Sequence, residues 1–345
     1  MSSSELVSVV VPVYNSASYL TDCLDSVSGQ TYRFLDIVVV DDGSTDGSAE
    51  VCDEFAARDN RFTVIHQENK GPSEARNEAL SHCRGEWICF LDSDDVMLPN
   101  MIERLHDIAS QGYKLAMCSY STVYDRSEIN GTAPSGAHAT VFNEYPVDRC
   151  LDEFVTGWPT ENFDTRFKHG VLWNKMYHSS LLKGMSFDVS LNRHVDQPFC
   201  MEALIRTDRV AVIQEKLYLY YIRSGSVSHP VMTDLRSDYL RSSLQMFEIL
   251  RSYRENDWRP FLRQLYRHIL IKNNDIRNLP GRAESRAVLS SIIDRTKRDY
   301  LTSSCIPLYE RLGFFILWAF PPMFSLLLKV WLKVNDKDSR YCRDI

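Results

Sequence analysis

The first hundred residues alternate between short, uniformly apolar runs and longer segments with apolar positions every three or four residues. The uniform runs cover 6–13, 35–40, 62–66 and 86–91, and the β-branched residues of the first two are typical of strands covered on both faces. The spaced segments lie between these runs and predict helices, for example over 18–29 and 72–82. This alternation predicts an α/β fold with a mostly parallel sheet flanked by helices.

Acidic residues follow the fourth predicted strand, in the stretch FLDSDDV at 90–96. Taken alone, three carboxylates in four positions fit a solvated loop with a helix cap. In open α/β sheets, however, ligands bind beyond the carboxyl ends of the strands. Residues 12–15 and 41–42 also end predicted strands. We therefore expect three separate segments to meet at one crevice.

The carboxylates of that crevice suit a metal and a phosphate. Carboxylates alone repel a diphosphate, so a divalent cation has to bridge them, and Mg²⁺ or Mn²⁺ takes one or two carboxylates together with phosphate oxygens. Asp41 or Asp42 would accept a hydrogen bond from a nucleobase, and Arg76 would meet a phosphate. The competing interpretations are a helix cap for the two aspartates and an ion pair with Glu78 or Asp42 for Arg76.

Charge and cysteine content narrow the class of protein. The net charge of −7 divides unevenly, because residues 1–230 carry 19 basic against 33 acidic side chains and residues 231–345 carry 20 against 13. The nine cysteines show no C-x-x-C and no zinc-like spacing, and several lie in apolar runs, which indicates a reducing compartment. The first fifteen residues predict a strand and no signal peptide. We expect a cytoplasmic enzyme.

Four motifs together resemble one family. VSVVVPVYN, VVVDDGSTDGS, NKGPSEARNEAL and GEWICFLDSDDVMLP, in this order and spacing, are similar to the family 2 glycosyltransferases of the Rossmann-like GT-A fold. The resemblance covers about 6–100 and implies an Mn²⁺ or Mg²⁺ ion held by Asp94 and Asp95. It also implies contacts to a nucleotide-diphosphate sugar from Pro12, Tyr14, Asn15, Asp41, Asp42, Lys70, Arg76, Asp92 and Ser93.

The resemblance continues more thinly beyond residue 170. WNKMYHSSLLKGMSFD at 173–188 is similar to the segment that leads into the acceptor half, with Trp173 and Lys175 expected as core and rim. In NRHVDQPF, Asp196 matches the catalytic base of bacterial members, while Val195 stands where Glu is usual and His194 is a candidate to replace it. Further along, RSGSVSH resembles the closing segment of the family. This implies diphosphate contacts from Arg223, Ser224 and Ser226, and His229 as a further metal ligand.

The function implied is inverting transfer of a sugar, with UDP as the expected nucleotide, to a hydroxyl of a glycan or polyprenyl-linked acceptor in cell-surface polysaccharide synthesis. A non-processive enzyme is expected because no Q-x-x-R-W motif follows the candidate base. Two alternatives remain: a metal-dependent nucleotidyltransferase, although PVYNSAS lacks the expected Gly-rich loop with Lys, and a degenerate protein that binds a nucleotide sugar without turnover.

The remaining prediction concerns domains. We expect a catalytic domain over 1–230, with a nucleotide-sugar half (1–118) and an acceptor half (119–230), then a helical subdomain (231–305) and a basic, apolar tail (306–345). Within the tail, 312–328 carries no charge and is broken by Pro321–Pro322. A buried hairpin is one interpretation. We favour a segment lying on the cytoplasmic face of the plasma membrane, because basic residues beside it suit anionic lipid and not nucleic acid.

Overall fold

The structure, a computed structural model, describes residues 5–125, 142–156, 170–191, 193–222, 236–253 and 282–302, together with four single residues, Leu308, Arg311, Leu312 and Phe315. The chain divides into two compact units, Met1–Val231 and Met232–Ile345. The first unit holds the sheet and the predicted site. The second contains two helices that pack on each other in the described part.

The strands of the first unit form one sheet, which has nine strands among the described residues. The strands are β1 (Val7–Val13), β2 (Leu35–Asp41), β3 (Phe62–His66), β4 (Trp87–Phe90), β5 (Val96–Met97), β6 (Leu115–Val123), β7 (Phe142–Pro146), β8 (Lys175–His178) and β9 (Arg209–Tyr221). The helices are α1 (Ala17–Ser28), α2 (Ser48–Arg58), α3 (Pro72–His82), α4 (Met101–Ala109), α5 (Val147–Thr156), α6 (Ser179–Leu182) and α7 (Asp196–Ile205) in this unit, and α8 (Arg236–Tyr253) and α9 (Arg282–Thr302) in the second.

The half of the sheet built from the first hundred residues is parallel, in the order β3-β2-β1-β4. Both faces of β1 are covered: Val9 and Val11 lie in the main core with Leu20 of α1, and Val10, on the opposite face, is equally buried. This double burial explains the uninterrupted apolar runs. The predicted strand and helix alternation is confirmed here.

The other half of the sheet is joined mainly by antiparallel pairs. β8 runs against both β4 and β6, and β9 runs against β5 and β7, while β6 and β9 are parallel. The sheet as a whole is therefore mixed, and the expectation of mostly parallel strands holds only for the first half. The reversal arises because β8 inserts between two strands that precede it in sequence.

The described cysteines support the predicted role of cysteine as a small apolar residue. Among the described residues, Cys23, Cys52, Cys89 and Cys118 are free thiols buried in the first unit. Burial raises the pKa of Cys52 and of Cys118 to about 12, so both thiols stay neutral at physiological pH.

Candidate active site

The loops that follow β1 and β2 are tied to each other. Asn15 has φ of 46°, in the left-handed region that asparagine tolerates better than most residues. Its backbone N–H donates to Ser44 Oγ at 3.0 Å, and its side-chain oxygen accepts the backbone N–H of Thr45 at 2.8 Å. The neighbouring Tyr14 is 48% exposed, and Pro12 lies half-buried within β1. The predicted residues of these two loops are therefore brought together.

Asp41 and Asp42, at the end of β2, are both buried and bonded to the protein. Asp41 accepts the backbone N–H of Ser44 at 3.2 Å and contacts the His66 ring at 3.0 Å. Asp42 accepts the side-chain amide N–H of Gln67 at 2.6 Å and the backbone N–H groups of Lys70 and Gly71, each at 2.8 Å. Neither aspartate caps α2; Asp46 accepts the backbone N–H of Ser48 at its start, at 3.1 Å.

Asp42 therefore holds the loop 67–71 against the end of β2. The side chain of Lys70 is exposed on this loop, which leads directly into α3. The two aspartates fix the shape of the crevice that the sequence predicts for a nucleotide. Their contacts within the protein were not foreseen, because they depend on a loop about thirty residues away.

The carboxylates after β4 divide into two kinds. Asp95 is buried, and its two oxygens accept the Tyr218 hydroxyl at 2.7 Å and the Tyr221 backbone N–H at 2.8 Å. Burial raises the pKa of Asp95 well above its ordinary value, with smaller contributions from Asp94 and Asp92. Asp92 and Asp94 are only half-buried. The two residues of the predicted metal pair therefore differ: Asp94 is half-buried, whereas Asp95 is buried and both of its oxygens are bonded to β9.

A second link joins the loop after β1 to the loop after β4. The hydroxyls of Ser16 and Ser93 lie 2.7 Å apart, within hydrogen-bond distance. The backbone N–H of Ser16 also donates to Ser48 Oγ at 2.9 Å, at the start of α2. All three predicted segments, ending β1, β2 and β4, therefore meet at one edge of the sheet.

Arg76 connects this edge to the predicted base. It is buried on α3 and donates to Asp92 Oδ1 at 2.9 Å, and its other terminal nitrogen lies 3.8 Å from Asp196 Oδ1. Neither expected surface partner, Glu78 or Asp42, is the one observed for Arg76 in these contacts. Because Arg76 is already paired with a carboxylate, it neutralises part of the negative charge of the site, and it also remains near any ligand bound there.

Asp196 is the first residue of α7, and 26% of its side chain is exposed. In the described part of the chain its Oδ1 accepts no hydrogen bond. Burial raises the pKa of Asp196 from 3.8 to about 6, partly offset by Arg76. Next to it, Val195 is buried, whereas His194 is exposed with φ of 58°. A carboxylate so placed can accept a proton near neutral pH.

The segment before α6 holds one buried cation that the sequence placed at the rim. Lys175 is fully buried and donates to the side chain of Asn174 at 2.7 Å and to the carbonyl of Val171. Burial lowers its pKa to about 8. Trp173 is core, as expected, and stacks on Tyr218 with ring centroids 4.4 Å apart. Lys175 interacts electrostatically with Asp196. The one sequence signal for its burial is its place at the start of a strand that is otherwise apolar or aromatic.

The comparison with protein families decides the class of this protein. The sequence model for "Glycosyl transferase family 2" matches residues 8–181, just over half of the chain. This chain belongs to the family 2 glycosyltransferases. Glycosyltransferase GlyG of Streptococcus pneumoniae serotype 4 is 33% identical over 251 residues, covering 71% of this chain and 79% of GlyG. The chain is accordingly a glycosyltransferase, and the nucleotidyltransferase alternative is wrong.

Solved structures support the GT-A fold of this family 2 glycosyltransferase. S. aureus TarS 1-349, in complex with UDP-GlcNAc, is 22% identical with a TM-score of 0.58, covering 90% of this chain and 81% of that one. The mannosyltransferase PcManGT from Pyrobaculum calidifontis, in complex with GDP-Man and Mn²⁺, is 15% identical with a TM-score of 0.51, covering 99% and 89%. At these identities the likeness shows the fold alone.

Among the described residues, Asp94 is the candidate metal ligand of this glycosyltransferase. No group of three His, Cys, Asp or Glu side chains in the described ranges is arranged to hold a metal ion. Asp94 is nevertheless the type of ligand that Mg²⁺ and Mn²⁺ use when substrate phosphates supply the other oxygens, so the residues fit such an ion. Four further predicted residues, Arg223, Ser224, Ser226 and His229, lie outside the described part of the chain.

The predicted membrane segment falls mostly outside the described residues as well. Within 312–328, only Leu312 and Phe315 are described, and both are exposed. Across the residues that can be assessed, none of the helices combines the length and the apolar character needed to span a bilayer.

Proposed function

We propose that this family 2 glycosyltransferase transfers one sugar at a time from a nucleotide-diphosphate sugar to an acceptor hydroxyl, with inversion, in cell-surface polysaccharide synthesis. The observation that carries the proposal is the position of Asp196. Its carboxylate stands at the start of α7, with one oxygen lacking a hydrogen-bond partner among the described residues, beside the Arg76–Asp92 pair. UDP is the proposed nucleotide; the TarS complexes contain UDP and UDP-GlcNAc, in support.

Asp196 is the proposed general base. In inverting transfer the acceptor hydroxyl loses its proton as its oxygen attacks the anomeric carbon. With its pKa raised to about 6, Asp196 is ionised at neutral pH and a better proton acceptor than an exposed aspartate. Arg76 keeps the charged form accessible by compensating part of the negative charge. Arg76 thus serves both Asp196 and Asp92.

Asp94 and Asp95 are the proposed metal ligands among the described residues. A bound Mn²⁺ or Mg²⁺ would stabilise the departing diphosphate as a Lewis acid. Mn²⁺ in the PcManGT complex is consistent with this assignment. Asp95 is the less accessible of the two proposed metal ligands, because it is buried and both of its oxygens accept hydrogen bonds from β9. His229 remains the proposed further ligand, and Arg223, Ser224 and Ser226 the proposed diphosphate contacts.

The crevice loops supply the remaining proposed contacts to the nucleotide sugar. Exposed Tyr14 and half-buried Pro12 are proposed to cover the nucleotide, and Asp92 and Ser93 to contact the nucleotide sugar from the loop after β4. Asp41, Asp42 and Asn15 act chiefly by holding the loops, since their oxygens bond within the protein. Lys70 presents its exposed side chain for contact with phosphate.

The proposed acceptor is a glycan or a polyprenyl-linked lipid at the cytoplasmic face of the plasma membrane. Leu308, Leu312 and Phe315 are helical and exposed, and they lie four and three residues apart in the sequence. They lie within residues 231–345, which carry a net positive charge. Exposed apolar side chains near basic residues suit a membrane containing anionic lipid.

The first experiment measures release of nucleotide diphosphate from UDP-, GDP-, dTDP- and CDP-sugars with Mn²⁺ and a membrane extract as acceptor source. Wild-type enzyme is compared with Asp94→Ala and Asp196→Ala, and with Glu202→Gln as matched control, since Glu202 is a half-buried acidic residue on α7 that pairs with Arg206. We expect one sugar nucleotide to be turned over by the wild type and the control only. Binding without turnover in every combination would favour the alternative of a degenerate binding protein.

Membrane docking is tested separately by sedimentation with vesicles containing anionic lipid. The full chain should sediment with these vesicles and less with neutral ones. Leu308→Glu combined with Leu312→Glu should weaken the association without changing turnover of a soluble acceptor. Equal sedimentation of wild type and variant would contradict the proposed surface.

A further inference from the structure

We propose that His66 is a positioning residue of the nucleotide site, acting as an imidazolium that clamps Asp41 and thereby makes nucleotide binding depend on pH. The inference rests on the proposed function, because it concerns how the same crevice is held in shape. His66 is the last residue of β3, next to the end of β2. No sequence motif discussed above includes it.

The geometry of the ring indicates its charge. His66 Nδ1 lies 3.0 Å from Asp41 Oδ2, and Nε2 lies 3.0 Å from Asp53 Oδ1. A neutral imidazole has one N–H and one lone pair, so one of these contacts would set a lone pair against a carboxylate oxygen. Only the imidazolium donates to both. Two carboxylates at opposite ends of one ring therefore select the protonated form.

The two carboxylates are in different environments. The side chain of Asp41 is 4% exposed, whereas that of Asp53, on α2, is 66% exposed. A buried carboxylate depends on its partners far more than one surrounded by water does. The contact with Asp41 is therefore expected to hold the structure, and the contact with Asp53 to adjust the charge of the ring.

Asp41 transmits the clamp to the nucleotide loops. Its other oxygen accepts the backbone N–H of Ser44, and Ser44 Oγ accepts the backbone N–H of Asn15. These contacts lead from His66 across the end of β2 to the loop after β1. Loss of the His66 contact should therefore loosen the crevice on the side where Tyr14 is exposed.

Other titratable groups near the ring do not compete for the same role. From α2, Cys52 carries a thiol whose pKa is raised to about 12, so it stays neutral. Asp42, which directly follows β2, accepts its hydrogen bonds from the loop 67–71. The hydrogen bond with Asp41, and then that with Asp53, raises the pKa of His66. Nucleotide binding should thus be strongest below this raised pKa and weaken as the pH rises through it.

A pair of amide substitutions separates the two ring contacts. The amide of His66→Asn replaces Nδ1 and keeps a hydrogen-bond donor for Asp41, whereas that of His66→Gln replaces Nε2 and keeps one for Asp53. Calorimetry with UDP, GDP, dTDP and CDP in Mn²⁺ identifies the nucleotide that the wild type binds. His66→Gln should raise the Kd for it about tenfold, and His66→Asn by no more than about threefold at the same pH.

Asp53→Asn provides a second test that does not depend on the folding of the His66 variants. Histidine proton resonances, recorded without metal, give the pKa of His66 once its signal is assigned by its absence in His66→Gln. Asp53→Asn should lower this pKa and move the loss of nucleotide affinity to lower pH by the same interval, leaving the affinity at pH 6 unchanged.

The outcomes separate this inference from the proposed function. If the wild type binds a nucleotide and both His66 variants bind it equally well at all pH values, the inference is overturned and the proposed function stands. An ordinary pKa for His66 in the wild type overturns it in the same way. If the wild type binds none of the four nucleotides, the proposed function fails and the inference fails with it. Selective loss in His66→Gln supports both.

Discussion

The two sides of the crevice differ in how completely their polar groups are bonded. On the nucleotide side, the loops at 14–17, 41–48 and 67–71 and the loop after β4 are joined by hydrogen bonds between distant residues, such as those from Asn15 to Ser44 and from Gly71 to Asp42. On the acceptor side, Asp196 presents a buried oxygen with no hydrogen-bond partner in the part of the chain that the structure describes.

This difference teaches which part of the site is complete before substrate arrives. A network of satisfied hydrogen bonds keeps the nucleotide side in one shape and lowers the cost of ordering loops on binding. An incompletely bonded buried carboxylate costs stability and is available to a proton. Substitutions on the nucleotide side should therefore mainly lower the free energy of unfolding, whereas substitution of Asp196 should mainly lower activity.

The largest expected effect is on activity at the acceptor side. Asp196→Asn should lower kcat by about 10²–10⁴-fold, because the amide cannot accept the proton of the acceptor hydroxyl. Its free energy of unfolding should stay within about 1 kcal/mol of the wild type, or rise, since an incompletely bonded charge is removed. Initial rates and urea unfolding measure the two quantities. A strongly destabilised Asp196→Asn would remove the contrast between the two sides.

The next effect is on stability at the nucleotide side. Asp95→Ala should lower the free energy of unfolding by about 2 kcal/mol or more, because it leaves the Tyr218 hydroxyl and the Tyr221 N–H without their observed acceptor. Urea unfolding with Tyr218→Phe as a partner in a double-mutant cycle would show the coupling directly. Additive losses in the cycle would mean that the Asp95–Tyr218 bond contributes little.

The pH dependence should be of intermediate size. Turnover should fall below about pH 6, where Asp196 becomes protonated. Because its pKa is raised by folding, Asp196 contributes stability that is full below its ordinary pKa of 3.8 and is lost as the pH rises through about 6. Arg76→Gln should move the acidic fall in turnover to higher pH, since Arg76 lowers the pKa of Asp196. Glu202→Gln should leave this fall at the same pH. An unchanged fall in Arg76→Gln would refute the electrostatic coupling of Arg76 to Asp196.

The smallest effect is expected from one loop residue among many. Asn15→Ala loses the hydrogen bond from Thr45, and alanine tolerates a φ of 46° less well than asparagine does. Together these should lower the free energy of unfolding by about 1–2 kcal/mol. Asn15→Gly loses only the hydrogen bond and should cost less. Thermal unfolding and nucleotide Kd compare the pair. If the glycine variant were the weaker of the two, the left-handed conformation would not be the controlling factor.

The sequence predicts the parallel half of the sheet well because each strand there is buried on both faces and carries its own apolar run. β8 was not predicted, since it has only four residues, Lys175–His178, and begins with a lysine. Its insertion between β4 and β6 depends on pairing with distant residues. The local pattern of apolar and polar residues does not indicate that pairing.

The site residues show the same limit. The position of the carboxylates at strand ends follows from topology, and the prediction brought the right loops together. The burial of Asp95 depends on β9, because its oxygens accept hydrogen bonds from Tyr218 and Tyr221. Likewise, the partners of Arg76 are decided by Asp92 and by α7, more than a hundred residues further along the chain.

The pairing of β9 with the segment after the acidic run determines whether the catalytic unit can be divided into two halves. β5, directly after the acidic run, pairs with Tyr218 and Leu219 of β9, and the Leu98 N–H donates to the carbonyl of Leu217. A fragment ending at residue 118 would keep the four motifs of the first hundred residues and lose the strand that anchors the last of them. The predicted nucleotide-sugar and acceptor halves are therefore not interchangeable modules: a chimaera that exchanges acceptor halves between relatives must carry a β9 that matches the recipient's acidic loop.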